Sequence, residues 1–225
     1  HRGSENDVLD RYVGAARASR AQVVVRITAD CPFLDPAVIA QTIRLRLITG
    51  AVYASNVDPP TWPDGLDCEV LTADALILAA AEATQPGDRE HVTPFVRNNR
   101  DRFASDTLIS PLPGLAAERW TLDTPEDLAL LSALATRLRP DQPPSYFDVL
   151  AVLDREPRLR DLQEKRTRNY GLKTGAGAER AANNRQYNRS QRLLERAERV
   201  IPTGSQTFSK SKLQLPPGAA PLFVT

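Results

Sequence analysis

The run Val23-Val24-Val25-Arg26-Ile27 constrains this chain more than any other segment. Four β-branched residues in five positions favour a short strand. A continuous apolar run, unlike an alternating one, is expected where a strand is covered on both faces. Helical patterns lie on either side of it. Ser4 is placed to cap a first helix, with Glu5 and Asp7 in its first turn and Val8, Leu9, Tyr12 and Ala16 on one apolar face, ending near Arg20. Asp35 and Pro36 form a cap and first-turn pair opening a second helix through about Leu47, and Ala51 to Ser55 reads as the next strand. The alternation α, β, α, β predicts the α/β class with a mostly parallel, Rossmann-like sheet.

Beyond Ser55 the pattern continues with one long interruption. Residues 56–67 contain Pro59, Pro60, Pro63, Asp64 and Gly65, and a loop of that length inside a compact domain points to function. Thr72 caps a helix over Ala73 to Ala83, and Arg89 to Asn98 predicts a short helix interrupted near Pro94. Strands are expected at Thr107 to Ser110 and Arg119 to Leu122. Thr124, followed by Pro125, Glu126 and Asp127, opens a helix backed by Leu128, Leu131, Leu134 and Leu138. Ser145 to Arg155 and Arg158 to Arg168 predict a helical C-terminal extension.

Residues 1–150 hold 14 basic and 21 acidic side chains, whereas 151–225 hold 15 and 7, so the chain has an acidic front and a basic tail. Gly171, Gly175 and Gly177 mark a linker at the change. The expected division is a domain over 1–168, a linker over 169–182 and a stub of a second domain over 183–225. Tyr170 and Tyr187 are the only aromatics in 151–200, too few for base stacking, so nucleic acid is not the expected partner. No apolar run approaches the ~18 residues of a membrane span, and the first eleven residues are too charged for a signal peptide. Cys31 and Cys68 make no disulfide framework, which favours a cytoplasmic setting. The chain has no Met and opens on His1, and is read as a piece of a longer protein. An oligomeric state, a homo-oligomer included, is left open.

In open sheets ligands bind beyond the carboxyl ends of the strands, and two acidic residues fall there: Asp30 after the first predicted strand and Asp123 after the last. Two converging carboxylates suit Mg²⁺, a hard cation that usually also takes substrate phosphates. Such an ion would let an acidic domain tolerate a polyanion.

Five ordered motifs carry a resemblance. They are Arg2-Gly3-Ser4-Glu5-Asn6-Asp7-Val8-Leu9-Asp10-Arg11-Tyr12, Arg26-Ile27-Thr28-Ala29-Asp30-Cys31-Pro32, Trp62-Pro63-Asp64-Gly65-Leu66-Asp67-Cys68-Glu69-Val70, Asp88-Arg89-Glu90-His91-Val92-Thr93-Pro94 and Leu122-Asp123-Thr124-Pro125-Glu126-Asp127. Over about residues 1–165 the chain resembles the spore coat polysaccharide biosynthesis protein F family, relatives of the cytidylyltransferases that make CMP-activated sugars. The resemblance implies a nucleotidyltransferase sheet, with Asp30 and Asp123 as catalytic metal ligands. It also implies substrate contacts by Ser4, Asp64, Asp67, Glu69, Arg89, Glu90 and His91. The expected substrates are CTP and a sugar for surface polysaccharide or glycan synthesis.

One departure matters. The Arg-x-Gly-Ser-x-Arg-x-Pro-x-Lys triphosphate loop of such enzymes is not in this sequence, and Gly3 alone cannot replace it. The first βαβ portion is therefore expected to be missing, and this stretch alone to be inactive.

Tyr187-Asn188-Arg189-Ser190, Leu194-Glu195-Arg196-Ala197, Val200-Ile201-Pro202-Thr203-Gly204-Ser205-Gln206 and Pro221-Leu222-Phe223-Val224 resemble the opening of class III aminotransferases of the glutamate-1-semialdehyde aminomutase kind. That resemblance implies a fusion whose pyridoxal phosphate site lies beyond Thr225, with Lys210 and Lys212 solvated. Two rival readings follow. In one, the aminotransferase activity defines the parent protein; in the other, the front domain is a non-catalytic sugar-binding or scaffold remnant.

Overall fold

The computed structural model describes residues 1–163. The linker expected over 169–182, the aminotransferase-like stub over 183–225 and the last part of the helical extension lie outside the described residues. Among the described residues no helix is long and apolar enough to cross a membrane.

The elements follow the α/β order. Helix α1 spans Val8–Ser19, strand β1 Val23–Arg26, α2 Pro36–Thr49, β2 Tyr53–Ser55 and β3 Glu69–Thr72. Then come α3 (Ala73–Glu82), α4 (Pro86–His91), α5 (Pro94–Asn98), β4 (Ser105–Thr107), α6 (Pro125–Ala135) and α7 (Tyr146–Arg155). Four helices after α1 start where short polar side chains satisfy first-turn N–H groups. Asp35 accepts from Ala37 N, Thr72 from Ala75 N, Thr124 from Asp127 N and Ser145 from Asp148 N. Asp127 and Asp148 return the bond to their cap residues, closing two capping boxes.

The first helix corrects the sequence reading. Its cap is Asp7, which accepts from Asp10 N at 3.0 Å, whereas Ser4 is exposed and lies before the helix. Both residue types cap well. Arg89 decides between them, because its Nε donates to Asp7 Oδ2 at 2.8 Å and holds that carboxylate in place.

The sheet order is β1-β3-β2-β4, with β3 antiparallel to both neighbours and β2 parallel to β4. Strands β1, β2 and β4 thus run in one direction and β3 runs against them, so the expected mostly parallel sheet is a mixed one. Strand β1 pairs on one side with β3 and takes no partner on its other side among the described residues. Val24 packs against the core of α1 and α3, whereas Val25, on the opposite face, is 38% exposed and Ile27, just beyond, 44% exposed, where the apolar run implied cover on both faces.

Two further boundaries shift. Strand β4 begins two residues before the expected Thr107. The segment expected as a strand at 119–122 makes one bridge, Asp64 with Arg119. Its partner is the loop containing Pro63, and the helix cap at Thr124 ends the extended backbone at once, so no ladder develops. After α7 the chain forms a 3₁₀ turn over Pro157–Leu162.

One core covers the sheet face carrying Tyr53 and Leu71, built from Leu9, Val13 and Ala16 of α1 with Leu76 and Ala79 of α3. A second gathers Val38, Trp62, Leu66, Trp120, Leu130, Leu134, Val149 and Leu153. The loop residues Trp62 and Leu66 are 1% or less exposed, so this loop is part of the core and has a rigid base.

Candidate active site

The strand directions bring Arg26, Ser55 and Thr107, at the carboxyl ends of three strands, to the same sheet end as Glu69 at the start of β3. Asp30 lies four residues past Arg26, in the turn that leads to α2. Leu122 N donates to Asp30 O at 2.8 Å, which joins that turn to the segment carrying Asp123. On its other flank the same segment holds the loop: Asp64 N donates to Glu118 O at 3.0 Å and Trp120 N to Asp64 O at 2.6 Å. The turn of Asp30, the loop of Asp64 and Asp67 and the approach to Asp123 are therefore stitched together through backbone bonds.

Gly65 permits this closure. Its φ is +112°, and a Cβ there would lie 2.8 Å from both the carbonyl carbon and the oxygen of Trp120. Gly65→Ala is expected to lower stability by about 2 kcal/mol or more and to alter the emission of Trp62 and Trp120, the chain's two tryptophans. Urea unfolding followed by fluorescence checks it; an unchanged midpoint would mean that the loop does not need this close approach.

Asp123 Oδ2 accepts from Arg119 Nη2 at 2.9 Å and Thr121 Oγ1 at 3.3 Å. Its side chain is 40% exposed. Asp127 behind it is 1% exposed and meets Arg119 end-on, from Nη1 to Oδ1 at 2.5 Å and from Nη2 to Oδ2 at 2.8 Å. Asp123 N, Thr124 N and Gln163 Nε2 also donate to Asp127. Burial alone would raise the Asp127 carboxyl, but the guanidinium and these donors hold it at about 2. Neither Arg119 nor Asp127 was singled out as a site residue from the sequence; the signal was the arginine four residues before Asp123, a spacing with meaning only once the backbone turns back on itself.

The other residues implied by resemblance have divergent placements. Glu69 is 3% exposed, and both its oxygens are engaged, Oε1 by Tyr53 OH and Oε2 by Arg26 Nη1, each at 2.6 Å. It holds the sheet end together. Arg89 donates to Asp7 and, through Nη1, to Ala80 O and Ala83 O, tying α1 to the last turn of α3. Glu90 is exposed and Ser4 lies in the exposed opening segment. His91 is half-buried, and burial together with Arg26 and Arg97 pushes its imidazole down, against Glu90, favouring the neutral ring at pH 7. It precedes a γ-turn closed by Thr93 N donating to His91 O, in which Val92 takes φ 75° and ψ −53°, a strained conformation for a β-branched residue.

Burial pushes the thiols of Cys31 and Cys68 up to about 12, so neither is a nucleophile at neutral pH. Among the described residues no three His, Cys, Asp or Glu side chains form a group that could hold an ion alone. The carboxylates of Asp30 and Asp123 nevertheless suit Mg²⁺, which binds through one or two carboxylates and leaves its other positions to water and phosphate oxygens. Oδ1 of Asp123 accepts no hydrogen bond among the described residues, so a donor atom of the right hardness is available.

A family model described as cytidylyltransferase matches residues 1–139. The chain is 33% identical over 160 residues to the spore coat polysaccharide biosynthesis protein SpsF of Bacillus subtilis, covering 69% of this chain and 65% of that protein. It is 32% identical over 180 residues to an uncharacterized protein of Methanocaldococcus jannaschii, covering 75% and 69%. Among solved structures it resembles a cytidylyltransferase from Leptospira borgpetersenii with a TM-score of 0.68 and 27% identity, over 74% of this chain and 70% of that one. The chain thus spans about two thirds of the length of these relatives, and with the motif order and the sheet-end site this match shows that it belongs to the cytidylyltransferase family.

Proposed function

We propose that the protein transfers CMP from CTP to a sugar destined for a surface polysaccharide or glycan, with Asp30 and Asp123 as the acidic pair of the reaction. What supports this reading is the Leu122 N to Asp30 O bond, which joins the turn carrying Asp30 to the segment that leads into Asp123, from distant parts of the sequence. In the reaction a sugar oxygen forms a bond to the α-phosphorus, the bond from that phosphorus to the bridging oxygen breaks, and pyrophosphate leaves with the electron pair. Mg²⁺, when bound, supplies charge neutralisation on the phosphate oxygens. The chain's own part is to hold Asp30 and Asp123 in fixed relation and to orient the sugar, so rate enhancement comes from positioning and electrostatics.

Asp64 and Asp67 belong to the sugar side of this scheme. A carboxylate accepts hydrogen bonds well from sugar hydroxyls and repels triphosphate. Asp67→Ala is expected to raise the KM for sugar far more than that for CTP, in steady-state kinetics with each substrate varied in turn. A selective rise in the CTP term would reverse the assignment. Reaction of the intact protein with four nucleoside triphosphates and a panel of acidic sugars tests the function itself. CTP-dependent pyrophosphate release is the expected result, and absence of turnover with every nucleotide would overturn it in favour of a sugar-binding domain.

A further inference from the structure

We propose that Asp127 is a positioning residue that reserves Asp123 for a divalent cation by neutralising Arg119. This rests on the reading of Asp123 as a metal ligand and names the device that keeps it available. Arg119 stands 2.9 Å from Asp123, where an uncompensated guanidinium would cancel the carboxylate's charge and compete with any incoming cation. It is not uncompensated. Its two terminal nitrogens meet the two oxygens of Asp127, the deeper carboxylate, whereas Asp123 receives a single bond from one nitrogen.

The exposures follow the same order: 1% for the Asp127 side chain, 11% for Arg119 and 40% for Asp123. The paired charges are buried and the residual negative charge is placed outward. The donors to Asp123, Arg119 Nη2 and Thr121 Oγ1, both take Oδ2, which fixes the rotamer and leaves Oδ1 for a ligand. Gln163 Nε2, donating to Asp127 Oδ1 at 2.7 Å, braces the fork from the turn after α7. Counting Arg119, Asp123 and Asp127 together, the cluster has a net charge of −1, carried by the one member that faces solvent.

The test uses Mn²⁺ as probe, its binding to the intact protein read from the free-ion electron paramagnetic resonance signal and normalised to the folded fraction by circular dichroism. Asp123→Asn is expected to weaken binding at least about tenfold. Asp127→Asn, which touches no ion but leaves Arg119 to pair with Asp123, is expected to weaken it by a similar factor. The double variant Arg119→Gln/Asp127→Asn restores the net charge of −1 and is expected to bind within about threefold of the unaltered protein. A purely structural role for Asp127 would lower the folded fraction without shifting the dissociation constant, and would show no rescue.

A folded Asp127→Asn protein with unaltered affinity, or a double variant with a tenfold loss, would overturn the inference. Should Asp127→Asn fail to fold, the double variant, which buries no unpaired charge, decides alone by the same limits. Mn²⁺ binding indifferent to Asp123→Asn would remove the metal reading and this inference with it. The expected Mn²⁺ pattern without CTP turnover would support the inference and refute only the proposed reaction.

Discussion

Asp127→Ala is expected to lower the stability of the domain by about 3–5 kcal/mol, a large share of the roughly 5–15 kcal/mol that holds a typical domain folded. The size follows from what the side chain does. It takes both terminal nitrogens of Arg119, closes the capping box of α6, accepts from Asp123 N and Thr124 N, and receives Gln163. Alanine would remove all of these acceptors and leave a mostly buried guanidinium with, among the described residues, the exposed Asp123 as its remaining partner. Asp127→Asn keeps one oxygen for the backbone donors Asp123 N and Thr124 N but loses the charge and the acceptor that Arg119 Nη1 and Gln163 Nε2 share, so it should cost less than alanine without being neutral. Because the carboxyl is held at about 2, below its ordinary value near 4, its contribution is complete above about pH 4 and lost as pH falls through about 2. Urea unfolding at pH 7, 4 and 2 measures this: the gap between the unaltered protein and Asp127→Ala should narrow between the last two. A gap under about 1 kcal/mol at pH 7 would show that the fork is not structural.

Much of the fold could be read from local chemistry. Asp35, Thr72, Thr124 and Ser145 are caps because each side chain reaches an N–H two or three residues ahead, a distance that tertiary structure cannot change. Where two local solutions were equivalent, a distant residue chose between them: Ser4 and Asp7 are both good caps, and Arg89, 82 residues away, selects Asp7. The burial of β1 was misread for a related reason. Period and composition describe a strand's own residues, whereas its cover depends on what packs on each face, and here Val24 meets the core while Val25 on the other face is exposed.

The site divides in the same way. The position of Asp30 just past β1 was legible, because turning points of an α/β chain collect at one sheet end, whereas Asp123 follows an extended segment with one bridge in place of the expected strand. The role of Glu69 was not legible. Its partners Arg26 and Tyr53 lie 43 and 16 residues away, and only the register that sets Arg26 and Ser55 opposite Glu69 brings that group together. Motif resemblance marks such a carboxylate as important without saying whether it serves the substrate or the sheet. Its two occupied oxygens point to the sheet.

Asp30→Asn and Asp123→Asn are each expected to reduce turnover of the intact protein by at least about two orders of magnitude while changing stability by under ~1 kcal/mol. The separation of the two effects is the informative part. What fixes Asp30 in the site is its backbone oxygen, accepting from Leu122 N, and asparagine leaves that bond intact. Among the described residues its side chain has only a long contact from Cys31 Sγ, at 3.6 Å, to lose. Asp123→Asn keeps an oxygen for Arg119 Nη2, and the guanidinium's charge remains balanced by Asp127, so no buried charge is stranded. Each substitution thus removes one negative charge where a cation and a triphosphate would meet and little else. Pyrophosphate release at saturating CTP, measured beside urea unfolding, separates the outcomes. Near-normal turnover in both variants would remove this pair from the mechanism, and an equal loss of stability and turnover would make them structural residues like Glu69.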